Sequence, residues 1–385
     1  MSRLIQRPLI VILVCLLACF AACKERSEEE PILIGLSAPL TGAEAQTGQD
    51  MRDGALLAIE EANQSGGISG RKLELIDRDD RADPGDAANV AKSFASMPDL
   101  IAVVGHLNSD CSLAAAQVYQ QSSISMVVPV STSDSLTEKG YNNVFRIPIR
   151  NSEQGRGAAE WASRKGYRRV VVLDDRGAYG AGIASAFEKA VIPLIRPIGG
   201  AVVLRDSFDK NETDFRPLLA RIASKSPDSL YFGGMYPAAA LFLRQANELG
   251  MKFAFLGGDG IYGSKFIELA GKSAEGVTVT FIAPLPEIEE GAPRFYQRFF
   301  LRFKHAPIGY APLGYDAANV VIEALRRVKD LHRDTIRREL HDPAFSLEGI
   351  TGNIRFDKAG ENLQREPYLY TVTNGKFRRV QSEAK

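Results

Sequence analysis

Cysteine is scarce in this chain, which has four cysteines in 385 residues. Cys15, Cys19 and Cys23 lie near the N-terminus, so the rest of the chain carries only Cys111. One thiol cannot form an internal disulfide, and a disulfide-stapled scaffold is therefore excluded for residues 24–385. We expect the stability of this body to come from core packing.

Long hydrophobic runs are missing too, since no run reaches the roughly 18 apolar residues that a membrane helix needs. The apolar stretch at residues 9–22 follows the basic Arg3 and Arg7 and has the size of a signal-peptide core. We therefore expect residues 1–22 to be a signal peptide, the chain to be exported and its mature part to be soluble.

The residues before Cys23, "FAAC", resemble a bacterial lipoprotein cleavage motif, although Phe20 replaces the usual aliphatic residue. This resemblance implies a lipid on Cys23 and a solvated tether at residues 23–30. Cleavage before Cys19, in "LLAC", and an ordinary signal peptide cut nearby are the alternatives.

Neither positive nor negative charge dominates, because the chain has 47 basic and 47 acidic residues. Removing residues 1–22 takes away two arginines and no acids, which leaves 45 against 47, a balance of −2. Such a balance gives no reason to expect a nucleic-acid partner. The remaining length is large for one hydrophobic core and predicts two domains.

Short apolar runs alternate with amphipathic helical stretches from Pro31 onward. "ILIGLSAPL", "KLELID" and "LIAVVG" begin one series, and "RRVVVLDD", "SLYFGG" and "KFAFLGG" belong to a second that starts near Asn151. Strands rich in Val, Ile and Leu without clean alternation are typical of parallel sheets buried on both faces. The pattern predicts an α/β fold with two doubly wound parallel-sheet lobes.

Motifs for cofactors and metals fail on inspection. "GDGIYG" at residues 258–263 matches a dinucleotide-binding loop, but the next strand ends without the acid that would hold a ribose. His106, His305, His332 and His341 show no metal-ligand spacing. We expect no cofactor and no metal.

The stretch "GHLNSDCS" at residues 105–112 crowds four reactive residue types behind a strand. A Cys111–His106 nucleophile pair is one interpretation. The alternative is a helix N-terminus whose free N–H groups and Ser109 hydroxyl hold a carboxylate, at the end of a parallel strand where doubly wound folds bind ligands. We favour the second interpretation and expect no enzyme activity.

Several segments together resemble type I periplasmic binding proteins, in particular the Leu/Ile/Val-binding group of ABC importers. They include "APLTGAEAQTGQDMRDGALLAIEEANQSGGISG", "VVGHLNSDCS", "VVPVSTSDSLTEKG", "DDRGAYGAG", "FGGMYP" and "LGGDG". The resemblance covers about residues 32–379 and implies a clamshell whose lobes are joined by three hinge crossings. It places lobe 1 at residues 31–149 and 284–362, and lobe 2 at residues 150–283 and 363–385.

The resemblance also implies site residues. Ser109, the Val130 backbone and Thr132 match positions that grip an amino acid's carboxylate and ammonium groups. Asp259 matches an acid that pairs with the ammonium, and the ligand contacts implied in addition come from Tyr179, Tyr310, Thr47 and Met235. Thr47 stands where many members have an aromatic residue, and Met235 replaces a tyrosine, so leucine cannot be assumed as the ligand.

Asp110 adds a negative charge beside the proposed carboxylate clamp. A helix N-terminus favours acids for structural reasons, and the sequence leaves open whether Asp110 faces the ligand.

The resemblance thus implies a monomeric, lipid-anchored solute-binding protein of the periplasm or cell surface. It would capture an amino acid or related small polar ligand and deliver it to an ABC importer. The alternatives are a ligand-sensing subunit of a membrane receptor, or a binder of short amides or aromatic acids.

Overall fold

A computed structural model describes residues 30–284, 293–364 and 366–380. The predicted signal peptide, Cys23 and all but the last residue of the predicted tether lie outside these ranges. Among the described residues, no helix combines the length and apolar character that crossing a bilayer requires.

The first sheet has five parallel strands in the order β2-β1-β3-β4-β5. Its central strand, "LIAVVG", is buried along its whole length, as its uninterrupted apolar sequence predicts. The strands are β1 (Ile32–Ala38), β2 (Leu73–Asp79), β3 (Leu100–Gly105), β4 (Ser125–Val128) and β5 (Val144–Arg146). The helices between them are α1 (Ala45–Gln64), α2 (Pro84–Ala95), α3 (Ser109–Gln121) and α4 (Ser135–Glu138).

The second sheet has seven strands in the order β14-β13-β10-β9-β8-β6-β7. Strands β6 to β10 are parallel, and the C-terminal hairpin of β13 and β14 extends the sheet in antiparallel pairing. The strands are β6 (Arg169–Asp174), β7 (Ala201–Ser207), β8 (Ser229–Gly233), β9 (Ala254–Gly257), β10 (Thr278–Phe281), β13 (Tyr368–Thr373) and β14 (Lys376–Arg379). The helices that precede or connect them are α5 (Asn151–Arg164), α6 (Ala178–Ile195), α7 (Arg216–Ala223), α8 (Tyr236–Glu248) and α9 (Ser264–Ala270).

The chain crosses between the layers of the two sheets after β5, after β10 and before β13. The return segment packs on the first sheet's layers and contains α10 (Pro293–Phe303), α11 (Ala311–Arg327), α12 (Arg333–Leu340) and the short ribbon of β11 (Leu347–Gly349) and β12 (Gly352–Ile354). The predicted α/β architecture of two doubly wound parallel sheets is confirmed. The residues at which each lobe begins and ends stay predictions.

Helices α1 and α11 pack unusually closely. A Cβ at Gly54 would lie 1.9 Å from the Ala311 carbonyl oxygen, and one at Gly314 would lie 2.0 Å from that of Met51. The reciprocal glycines therefore let the two backbones touch. Close packing fixes the start of α11, and with it Tyr310, relative to the first sheet.

Candidate ligand-binding site

A cavity of about 570 Å³ lies between the carboxyl ends of the two sheets. The parallel part of each sheet has the same order, in which the first strand stands between the second and the third. The direction of winding reverses there, and the loops that leave these strands in opposite directions open a crevice where doubly wound folds bind ligands. The crevices of the two sheets open into the same cavity.

The first sheet's wall contains Ser109, Val130 and Thr132. Ser109 begins α3, a helix of 13 residues, and its hydroxyl oxygen accepts a bond from Ser133 N at 3.3 Å. The Thr132 hydroxyl donates to Asn151 Oδ1 at 2.7 Å, so its proton is already used within the protein. This wall offers an anion the free N–H groups at the start of α3 together with the Ser109 hydroxyl.

The opposite wall contains Asp259, whose side chain is almost fully buried. Gln154 Nε2 and the Tyr179 hydroxyl both donate to Asp259 Oδ1, at 2.7 and 2.9 Å. Oδ2 is therefore left without a side-chain donor from the described residues. Burial raises the pKa of Asp259 to about 6, although these hydrogen bonds oppose the shift. A cation placed at Oδ2 would compensate this buried charge.

Tyr179 and Met235 also line the cavity. The Tyr179 hydroxyl accepts a bond from Gly260 N at 2.8 Å while it donates to Asp259. A Cβ at Gly260 would lie 2.8 Å from the Tyr179 ring and 2.9 Å from Met235 Sδ. Gly258 and Gly260, the first two glycines of "GDGIYG", thus allow close packing around Asp259.

Tyr310, a ligand contact implied by the resemblance, lines the cavity. Its hydroxyl donates to the Asp259 carbonyl oxygen at 2.7 Å. Thr47 is different, because it does not lie on the cavity wall. It is buried within α1. The structure therefore brings seven of the eight predicted residues to one cavity and excludes Thr47 from its wall.

Four lining acids were not among the predicted ligand contacts: Glu44, Asp110, Asp175 and the exposed Asp209. We call the part of the wall formed by Glu44, Asp110 and Asp175 the acidic end of the cavity. Glu44 Oε2 accepts a bond from Asn108 Nδ2 at 2.8 Å, and burial raises the pKa of Glu44 to about 7. Burial likewise raises the pKa of Asp175 to about 6. Glu44 and Asp175 stand in the segments "TGAEAQTG" and "DDRGAYG", but only the fold shows that they face each other across the cleft.

Asp110 joins the two walls. Both of its carboxylate oxygens accept from Ala178 N, at 3.1 and 3.0 Å, and Ala178 begins α6 on the second sheet. Asp110 thus fills the N-terminus of α6 across the cleft. Of these two helix N-termini, that of α3 therefore stays available to an incoming anion.

The remaining reactive residues of "GHLNSDCS" are buried away from the cavity. His106 Nδ1 lies 2.7 Å from Asp80 Oδ2, and its Nε2 lies 3.2 Å from the Tyr119 hydroxyl. Cys111 is fully buried, and burial raises the pKa of its thiol far above the usual range. A protonated, enclosed thiol is not a nucleophile, which argues against the Cys111–His106 pair. Among the described residues, no group of three or more His, Cys, Asp or Glu side chains is arranged to hold a metal.

Two doubly wound lobes with a ligand-sized cavity between their strand ends are the features of a clamshell solute-binding protein. The family profile described as periplasmic binding protein matches residues 31–376. The chain belongs to this family.

Named relatives support the same family. The chain is 31% identical over 336 residues to a leucine-, isoleucine-, valine-, threonine- and alanine-binding protein of Pseudomonas aeruginosa, covering 86% of this chain and 87% of that protein. The branched-chain amino acid transporter substrate binding protein LivJ of Streptococcus pneumoniae, solved with isoleucine, is 27% identical with a TM-score of 0.83, covering 91% and 99%. A benzoate-bound solute binding protein of R. palustris shares the fold at 22% identity and a TM-score of 0.80, covering 91% and 96%.

Proposed function

We propose that this protein is an exported, lipid-anchored solute-binding protein that captures an α-amino acid between its lobes and delivers it to an ABC importer. The observation that supports this proposal is the chemical difference between the two facing walls of the cavity. The start of α3 with Ser109 offers hydrogen-bond donors to a carboxylate, and Asp259 offers an acceptor oxygen to an ammonium group. An α-amino acid carries both groups on one carbon.

Asp259 favours an amino acid over an aromatic acid. A ligand such as benzoate could use the α3 N-terminus, but it carries no cation for the buried Asp259 carboxylate. A buried charge left unpaired weakens binding by about 2–5 kcal/mol. The relatives named for amino acids agree with this preference.

The test is a calorimetric titration of the purified protein with the common amino acids, short amides and benzoate. We expect saturable binding of at least one amino acid and no heat from the same compound lacking its α-amino group. At 100 times Kd, the bound amino acid should stabilise the fold by about 2.7 kcal/mol. Equal binding of the des-amino compound would refute the amino-acid assignment.

The anchor is tested separately by cell fractionation. We expect Cys23→Ser to release the protein from the membrane fraction, and Cys19→Ser to leave it bound. The opposite result would move the lipid to Cys19, and membrane release by neither variant would refute lipid anchoring at these cysteines. Transport is tested by uptake of the labelled ligand in cells with and without the gene. Unchanged uptake at low ligand concentration would contradict delivery and favour a sensing role.

A further inference from the structure

The proposed amino acid clamp and the acidic end line the same cavity. Glu44 and Asp110 come from the first sheet's layers, and Asp175 follows β6 of the second sheet. Asp110 and Asp175 lie close together, because a Cβ at Gly177 would be 3.2 Å from Asp110 Oδ2 and 3.1 Å from Asp175 Oδ1. A ligand held at the clamp therefore shares the cavity with these carboxylates.

The protein's own donors satisfy this end only in part. Ala178 N donates a hydrogen bond to Asp110, and Gly177 N donates one to Asp175 Oδ1 at 2.9 Å. Asn108 donates to Glu44 Oε2. The N-terminus of α6 contributes about half a positive charge against three carboxyl groups. One oxygen each of Glu44 and Asp175 has no hydrogen bond from the described residues. The acidic end therefore has acceptor capacity that the described chain does not fill.

The cations around the cavity lie at its exposed rim. Arg81, Arg176 and Lys210 are all exposed, and Arg81 is paired with Asp86 outside the acidic end. Lys210 is near enough to oppose the raised pKa of Glu44, but burial is the larger effect. Charge at the exposed rim is screened by solvent, and the half-buried carboxylates inside are screened less.

Apolar side chains also line the cavity. Met235, Pro237 and Ala238 come from the start of α8, and Ala43 and Leu107 from the first sheet's loops. This combination matches an aliphatic stem that ends in a positively charged group. Leucine would bury its methyl groups at the same end and leave the carboxylates uncompensated.

Resting on the proposed function, we infer that the ligand is an amino acid with a cationic side chain, of the lysine, ornithine or arginine type. Its α-groups occupy the clamp at α3 and Asp259. Its aliphatic stem passes Met235, and its terminal ammonium or guanidinium group bonds to Glu44 and Asp175.

Matched ligand pairs test this inference. Norleucine is lysine without its terminal nitrogen, and citrulline is a neutral counterpart of arginine, so the α-clamp is the same within each pair. Each charged hydrogen bond is worth about 1.5–3 kcal/mol, so we expect lysine or arginine to bind about 10- to 100-fold more tightly than its neutral partner. Glu44→Gln should reduce this ratio at least tenfold, and Glu268→Gln, an exposed acid on α9, should leave it unchanged.

The outcomes separate the two proposals. Norleucine or leucine binding as tightly as lysine, with citrulline matching arginine, overturns the cationic ligand and leaves the amino-acid function intact. A cationic preference that persists unchanged in both Glu44→Gln and Asp175→Asn removes the acidic end as its cause and also overturns the inference. Failure of every α-amino acid to bind refutes the proposed function itself.

Discussion

Replacing Asp259 by asparagine should stabilise the ligand-free protein while it abolishes ligand binding. Burial raises the pKa of Asp259 from 3.8 to about 6, so its ionised form is disfavoured by about 3 kcal/mol in the fold. The asparagine amide keeps an oxygen that accepts from Gln154 and Tyr179 but carries no charge. We therefore expect a higher free energy of unfolding at pH 7.5, by up to about 3 kcal/mol.

The pH dependence of stability tests whether ionised Asp259 destabilises the fold. Because the folded pKa lies above the unfolded one, ionisation of Asp259 costs stability in full above about pH 6. As the pH falls toward 4, native Asp259 becomes protonated and the cost disappears. The stability difference between Asp259→Asn and the unchanged protein should therefore shrink between pH 6 and pH 4, as followed by urea unfolding.

Asp50 is the matched control. Burial also raises its pKa to about 6, but its carboxylate accepts backbone N–H bonds from Ile308, Tyr310 and Ala311 at 2.7–3.0 Å. An amide nitrogen cannot accept these bonds, so Asp50→Asn should lower the free energy of unfolding by about 1–3 kcal/mol. Destabilisation by both variants, with ligand-induced stabilisation retained in Asp259→Asn, would refute the argument that Asp259 holds a charge for the ligand.

Three further predictions concern the cleft and the core. Asp110→Asn should weaken ligand binding about 5- to 30-fold, as measured by calorimetry, because a charged hydrogen bond across the cleft is lost. Unchanged affinity would show that this bond does not contribute to closure of the lobes. Gly260→Ala should abolish ligand-induced stabilisation in a thermal-shift assay, since its Cβ would displace Tyr179; retained binding contradicts the packing argument. Glu361→Ala should cost about 3–5 kcal/mol in urea unfolding, because it leaves the buried Arg146 unpaired, and a loss below about 1 kcal/mol would oppose this.

Much of the architecture could be predicted from the sequence. The uninterrupted apolar runs predict parallel strands buried on both faces, and the segments that follow their carboxyl ends carry six of the eight proposed ligand contacts. Thr47 is the proposed contact that the structure places away from the cavity wall. It lies four residues before Met51 and eight before Ala55, on the stripe that faces the core. Its burial inside α1 could have been predicted from helical spacing.

The acidic end could not be predicted, because its parts are distant in the sequence. Asp110 bonds to Ala178, which is 68 residues away on a helix of the other sheet. No local periodicity indicates which helix N-terminus faces which carboxylate. Its identification required the relative placement of two lobes, and that placement is set by packing along the whole chain.

The order in which the chain emerges gives the C-terminal hairpin and Glu361 a further role. Strand β13 pairs with β10 across about 90 residues, and Glu361 reaches back to Arg146 across 215. Neither sheet layer has its full set of contacts until nearly the last residues are present. A chain that is translated from its N-terminus therefore cannot complete either sheet layer until its last residues have been made, and long-range pairing of this kind makes folding slow.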